Sequence, residues 1–320
     1  MRAAVVSEFG QAPEITERDV PQRTPGSALV RITAASLNPI DLLISSGGHP
    51  LGRPPVPHVP GVEGVGTVVE SDTHAPGTRV RVSVPGGFVD GTLAEFVVAP
   101  DAACLPLPAA LGDELAAAIG VVGVSALIAL RDEAGLRPGE SVLVFGATGG
   151  LGRAAILLAR ALGAERIVAA ARNEQRLADL AEEGDVDGTV ALTTDPAEFG
   201  TRLDKVGGQV DVVIDSLWGS YAPCALAMLR TGGRYVNLGQ SAGAEATVNA
   251  GLIRHSHLKI TGVSGASLSP EQGAEAYSQV ADFAAAGKLD LAIESHPLDQ
   301  IASAWAAQAA SPGKKITLRP

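Results

Sequence analysis

Aromatic side chains are scarce, at 3% of 320 residues, so any interior must be assembled from the Ala, Val, Leu and Ile that dominate a 46% hydrophobic fraction. Cysteine occurs only twice, at Cys104 and Cys224, with no CxxC spacing. Two separate thiols can build neither a disulfide framework nor a four-cysteine zinc lobe, and a reducing cytoplasm is the expected setting. Clustered Lys and Arg are missing too. The formal charge is −11, from 24 basic and 35 acidic residues, which speaks against a phosphate-backbone partner. Glu8 arrives before any apolar run of targeting length has formed, so no leader is expected. The one membrane-like stretch, Leu115 to Leu130, is shorter than the roughly 20 residues of a spanning helix and is interrupted by Gly120, Gly123 and Ser125. Buried helices are expected there, and a membrane is not.

The length suits two domains, each able to bury its own core. Short β-prone runs mark the first third: Ala28 to Ala35, Val65 to Glu70, Arg79 to Val84 and Leu93 to Val98, separated by Pro and Gly. Between them Arg53 to Pro60, rich in proline, reads as an extended surface loop. From Ser141 the pattern becomes a regular alternation, with strands expected at Ser141 to Phe145, Arg166 to Ala171, Thr189 to Leu192, Val210 to Ile214, Arg234 to Leu238 and Leu258 to Val263. That order describes a doubly wound parallel sheet buried on both faces. The tail returns to mixed structure, with a helix at Glu271 to Ala286, a strand near Ile293, a helix at Leu298 to Ala309 and a strand at Lys315 to Leu318.

The first run of that alternation leads directly into Gly146-Ala147-Thr148-Gly149-Gly150-Leu151-Gly152 and then into an apolar helix from Arg153 to Leu162. Its spacing, Ala147-x-Gly149-x-x-Gly152, is a dinucleotide fingerprint with the first glycine replaced by alanine. Such a turn lets the backbone approach a pyrophosphate, whose charge then sits at the positive end of the helix. A glycine-rich turn that binds nothing is the plain alternative; the strand before it, the helix after it and the βα-like units behind it favour the cofactor. At the end of the next strand an NAD-binding chain would place Asp or Glu on the ribose 2′-hydroxyl. This chain reads Ala169-Ala170-Ala171-Arg172 instead. Arg172 is either a solvated arginine or the partner of a 2′-phosphate, and the loss of the acid makes NADPH the expected cofactor. Asn173 beside it reads as the N-cap of a helix through Leu177 and Leu180.

Several segments resemble the medium-chain dehydrogenases, in particular their zinc-free quinone oxidoreductase branch. Ala34-Ala35-Ser36-Leu37-Asn38-Pro39-Ile40-Asp41 is similar to the family's "AAGVNPVD", and Val59-Pro60-Gly61-Val62-Glu63-Gly64-Val65-Gly66 to its "PGxExxGxV". Gly91 to Phe96, Ala118-Ile119-Gly120 and Asp215-Ser216 also match. The resemblance implies an α/β architecture: a GroES-like β-rich catalytic domain, residues 1–123 plus 267–320, and a doubly wound parallel-sheet (Rossmann) dinucleotide-binding domain, residues 124–266. It implies metal-free hydride transfer from NADPH to a small electron-poor acceptor, a quinone or an α,β-unsaturated carbonyl. Reduction of an enoyl thioester or a specialised-pathway enoyl intermediate is the alternative, and a non-catalytic NADPH-binding protein, on the pattern of lens crystallin relatives, is the rival of another class. A homodimer is implied as well, with Leu258 to Val263 extending the sheet across a two-fold axis and Thr247 to Leu252 near the same interface.

For the site, the positions matching the zinc ligands of the alcohol dehydrogenases read Asn38, Val62 and Val121, none of which offers a thiolate or an imidazole; only Glu63 remains. His255-x-His257, expected on one face of the last strand, lacks a third ligand and reads as surface or subunit contact. The resemblance places the nicotinamide in a cleft between the domains, with Asn38 on one side and Ser125, Gly239, Gln240, Ser241, Val263 and Ser264 lining the other. It also implies cofactor contacts from Ala147, Thr148, Gly149, Gly150, Leu151 and Ser216. Asn38 could alternatively cap the helix after it, and Asp41 reads as structural. The closing Gly313-Lys314-Lys315-Ile316-Thr317-Leu318 resembles the family's "GKxVL", which assigns Lys314 to the cofactor, a solvated lysine pair being the alternative. Where relatives carry tyrosines after the Asn-Pro segment, this chain has Leu43 and His49. His49, on the loop Ser46 to Pro57, is the expected proton donor if it is more than an exposed loop residue.

Overall fold

The computed structural model describes residues 1–49, 52–84, 90–206, 208–311 and 313–320, with Ala266 by its backbone alone. Pro50 and Leu51, inside the loop Ser46 to Pro57 that carries His49, lie outside the described residues. The chain divides into two compact units, Met1–Val121 with Leu268–Pro320, and Val122–Ser267.

The first unit is built on a seven-stranded sheet around the long strand Ser27–Leu37. That strand pairs antiparallel with Glu63–Glu70, Phe96–Pro100 and Lys315–Arg319, and the last of these pairs parallel with Ile293–Pro297. Alternation explains its placement: Val30 and Ile32 are buried while Arg31 and Thr33 are exposed. The core is the aliphatic one that the composition demands, with Val30, Leu37, Val80, Val82, Leu93 and Ile316 at its centre and Trp305 as an aromatic member. Two details differ from the sequence pattern. Leu93 is in the core, but the strand begins only at Phe96, because the amides of Thr92 and Leu93 are already bonded to Gly61 O and Pro60 O. The proline-rich loop is exposed from Pro55 to Pro57, yet it turns inward at His58, Val59 and Pro60, where His58 exchanges backbone bonds with Val6.

In the second unit six strands form one parallel sheet in the order Gly188–Ala191, Arg166–Ala171, Ser141–Phe145, Val210–Asp215, Leu229–Asn237, Lys259–Gly262. The chain starts at the middle, moves to one edge and crosses back to fill the other half. Strand order therefore reverses between Ser141–Phe145 and Val210–Asp215, the place where such sheets open a crevice at their carboxyl edge. Every residue of Ser141–Phe145 is buried, as expected for a strand covered on both faces. Asn173 caps the helix Glu174–Glu182, its side chain accepting from Arg176 N at 3.0 Å. The shared strand face expected for His255 and His257 is overturned. Asn249 caps a helix, Ala250–His255, whose end takes up His255; His257 follows in a turn at φ 51°, and the strand starts only at Lys259. The apolar run after Leu115 is divided between the helices Asp113–Ala118 and Gly120–Ile128. Among the described residues no helix is long and apolar enough to cross a membrane.

Candidate functional site

Because the six strands are parallel, their carboxyl ends share one edge. Phe145, Ala170, Asp215, Asn237 and Gly262 are register partners there. The sequence-predicted residues of this unit follow those ends: Ala147, Thr148, Gly149, Gly150 and Leu151 after the first strand, Arg172 after Ala171, Ser216 after Asp215, Gly239 and Gln240 after Asn237, Val263 and Ser264 after Gly262. Topology thus gathers residues more than a hundred positions apart in sequence. Ser125, which no strand end carries, sits half-buried on the helix Gly120–Ile128.

Gly149 is the N-cap of the twelve-residue helix Gly150–Ala161, so the helix's unpaired N–H groups point out of that same edge. Close packing fixes the turn. A Cβ on Gly152 would lie 2.3 Å from Gly146 O and 2.7 Å from Ala147 Cα, so only glycine lets helix and strand meet this closely. The loop after Asp215 is folded against the turn, with Ser216 donating to Phe145 O at 3.1 Å. Asp215 organises this loop: its buried carboxylate accepts from Leu217 N at 2.7 Å, from Trp218 N at 2.9 Å and from the Tyr235 hydroxyl. Burial raises its pKa against those donors. They hold Trp218 at φ 55°, a conformation that costs a bulky residue strain energy. On the next strand end Asn237 donates to Gly239 O at 2.8 Å, and Ser241 reaches back to Ser216 O at 3.2 Å. The cradle is therefore self-supporting, and its shape and donor groups fit a dinucleotide. Arg172 is exposed at its border.

The first unit holds a buried cluster of charged and amide groups. Asn38 stands in the N-cap position of the helix Pro39–Ser45, but its side chain turns away from the helix. Its Nδ2 donates to Glu63 Oε1 at 2.9 Å, and its Oδ1 accepts from Lys315 Nζ at 2.6 Å. The other Glu63 oxygen accepts from Val121 N at 2.6 Å and lies 3.8 Å from Arg81 Nη2, whose guanidinium stacks on the Tyr277 ring. Asp41 accepts from Asn38 N at 2.8 Å and Val62 N at 2.9 Å. Its structural reading thus has a geometry: it ties the start of the helix to the strand beside Glu63. Desolvation pushes the Asp41 carboxyl up to about 7, with the two backbone bonds opposing. Burial likewise lowers the Lys315 pKa below the ordinary lysine range, with Glu63 and Asp41 opposing.

Sequence reasoning singled out Lys314, and the structure sets it exposed just before the last strand, 3.9 Å from Glu294. Its neighbour Lys315 is the lysine that enters the interior. The signal was faint: two adjacent lysines before an apolar strand, with nothing to say which points inward. Tyr235 and Trp218 were missed as supports of the cradle because both look like ordinary core residues in sequence. His49 lies half-buried after the helix Pro39–Ser45, its carbonyl accepting from Gly52 N at 3.0 Å. Leu43, at the other tyrosine position, is exposed.

Two family profiles match the chain. A profile described as "Alcohol dehydrogenase GroES-like domain" matches residues 24–109, and one described as "Zinc-binding dehydrogenase" matches residues 150–286. The quinone oxidoreductase of Thermus thermophilus, solved alone and with NADPH, is 30% identical with all of both chains covered and a TM-score of 0.81. The chain belongs to the medium-chain dehydrogenase/reductase family. As a medium-chain dehydrogenase it also superimposes on an NAD-dependent alcohol dehydrogenase over all of both chains, with a TM-score of 0.88 and 29% identity. Curated relatives include a pikromycin polyketide synthase component of Streptomyces venezuelae, 35% identical over 231 residues, and a mycocerosic acid synthase-like polyketide synthase of Mycobacterium tuberculosis, 34% identical over 218. Each match uses 68% of this chain but only 6% and 10% of those much longer proteins.

Zinc, which one profile's description implies, does not suit the residues present. At the positions matching the zinc ligands this chain offers the neutral Asn38 amide, Val62 and Val121, beside a Glu63 carboxylate already engaged by three partners. Neither thiolate nor imidazole is among them, and a cation already occupies the interior beside Asn38.

Proposed function

We propose that this chain is an NADPH-dependent reductase of small, electron-poor acceptors, a quinone or an α,β-unsaturated carbonyl. The observation that carries the reading is the position of Arg172. It follows Ala171 at the carboxyl edge of the strand neighbouring the phosphate turn, where an NAD-specific chain presents a carboxylate. In this reading the backbone from Ala147 to Leu151 receives the pyrophosphate and Arg172 the 2′-phosphate. Ser125, Ser216, Gly239, Gln240, Val263 and Ser264 border the ribose and nicotinamide, and Lys314 adds a positive charge. NADPH, once bound, supplies the hydride from C4 of its nicotinamide. Asn38 helps to align the acceptor, and His49 delivers the proton that the reduced acceptor requires.

The polyketide synthase relatives favour a second reading for the acceptor. An enoyl thioester, the alternative acceptor, therefore belongs in any substrate test. The protein is incubated with NADPH or NADH and a panel of quinones, enones and enoyl thioesters, and loss of reduced nicotinamide absorbance is followed. Turnover with a conjugated acceptor and preference for NADPH are expected. Equal affinity for the two cofactors overturns the Arg172 argument, and binding of NADPH without oxidation by any acceptor favours a non-catalytic binding protein.

A further inference from the structure

A lysine inside a protein core is unusual because an ammonium group loses its hydration there, so it must have partners that justify its position. Lys315 is 5% exposed, next to Ile316 and Leu318, both fully buried. Its Nζ donates to Leu37 O at 3.1 Å and to Asn38 Oδ1 at 2.6 Å, while Glu63 holds the opposite end of the same amide. An amide has an acceptor at one end and donors at the other. As found, Asn38 turns its oxygen to an ammonium and its nitrogen to a carboxylate. Reversed, it would set N–H against ammonium and oxygen against carboxylate. Neighbours of opposite charge therefore select a single orientation, with far more force than neutral partners could.

We propose that Lys315 is a positioning residue of the reductase, an internal cation that locks the Asn38 amide in one orientation at the head of the helix leading to His49. The catalytic part of this assignment rests on the reductase reading above. The orientation part does not.

Lys315→Met removes the charge and keeps most of the chain length, and Lys315→Ala leaves room for a small amine. With an acceptor that the unaltered protein reduces, Lys315→Met should lower kcat about tenfold or more while the NADPH dissociation constant changes by less than about threefold. In Lys315→Ala, propylammonium should restore turnover saturably, whereas tetramethylammonium at equal ionic strength should not. Turnover of Lys315→Met within about twofold of the unaltered protein overturns the proposal. Should that variant fail to fold, Lys315→Met with Glu63→Gln removes both charges together; full turnover in the double variant overturns it equally. The Asn38 side-chain amide signal in a ¹⁵N–¹H spectrum, assigned by its loss in Asn38→Asp, gives a readout independent of activity. It should be single in the unaltered protein and shifted or doubled in Lys315→Met. An unchanged signal overturns the clamp even if the protein reduces nothing, whereas a changed signal without turnover in the unaltered protein upholds the clamp and sinks only the reductase reading.

Discussion

Arg172 and His49 carry the residue-scale consequences of the proposed function, and each has a distinct kinetic signature. A charge-assisted contact from Arg172 to a 2′-phosphate is absent with NADH. Arg172→Ala should therefore raise the NADPH Michaelis constant on the order of ten- to a hundredfold and leave that for NADH nearly unchanged. Equal losses with both cofactors would show that the side chain serves something other than the phosphate. A general acid used in the transition state contributes about 10²–10⁴-fold, so His49→Ala should slow reduction of an enone by an amount of that order. Quinone reduction should suffer less, since a quinol oxyanion takes its proton from water. Equal rates for parent and variant with every acceptor would make solvent the donor. At this scale the sequence spoke unevenly. The turn from Ala147 to Gly152 and Arg172 were legible because fixed spacing from a strand end implies geometry. Lys315 was not, because its burial depends on pairing between residues nearly three hundred positions apart, and no local pattern encodes which of two adjacent lysines faces inward.

At the scale of elements, the parallel sheet was easy to read and the loops were not. Apolar runs such as Ser141–Phe145 and Arg166–Ala171 are bounded by glycine and polar turns, and their limits fall where the pattern puts them. Leu93 and the segment from His58 to Pro60 depend instead on which distant backbone groups claim their amides. His58 has a consequence for pH. Its ring is buried, and burial lowers its pKa against the opposing charge of Asp90. The unfolded chain then takes up a proton more readily than the native one below about pH 6.5, so His58 makes stability fall as pH falls through that range. Asp41 acts with the opposite sign: its carboxyl, pushed up to about 7, is protonated more readily in the folded state, so its contribution is fully present below about pH 4 and is lost as pH rises towards 7. Thermal unfolding from pH 4 to 8 separates the two. His58→Gln should remove the acid-side loss and Asp41→Asn the loss on raising pH; a variant with the parent's profile would rule out the corresponding group as its source.

For the whole molecule, the exposed edge of the parallel sheet and the origin of the first unit have the widest consequences. Lys259–Gly262 is the last strand of its sheet, and Ile260 on it is 37% exposed. An unpaired edge with an outward apolar side chain invites pairing with a second copy, and we propose a homodimer formed there. Light scattering at micromolar concentration should give twice the chain mass, and Ile260→Lys should shift the protein towards monomer; a monomeric parent protein would refute the proposal. The first unit, for its part, is assembled from both sides of the second in sequence, with the strand Lys315–Arg319 lying beside Ser27–Leu37. On a ribosome the segment 122–267 is therefore synthesised in full before the earlier unit can close, and it can complete its own sheet while its predecessor waits. Until Lys315 emerges, Arg81 already faces Glu63, but the Asn38 oxygen lacks the ammonium that fixes its direction. The Asn38 amide therefore gains its orientation only after the parallel-sheet unit has been made, so the strand of the first unit that is synthesised latest sets the polarity of an interior begun by its earliest ones.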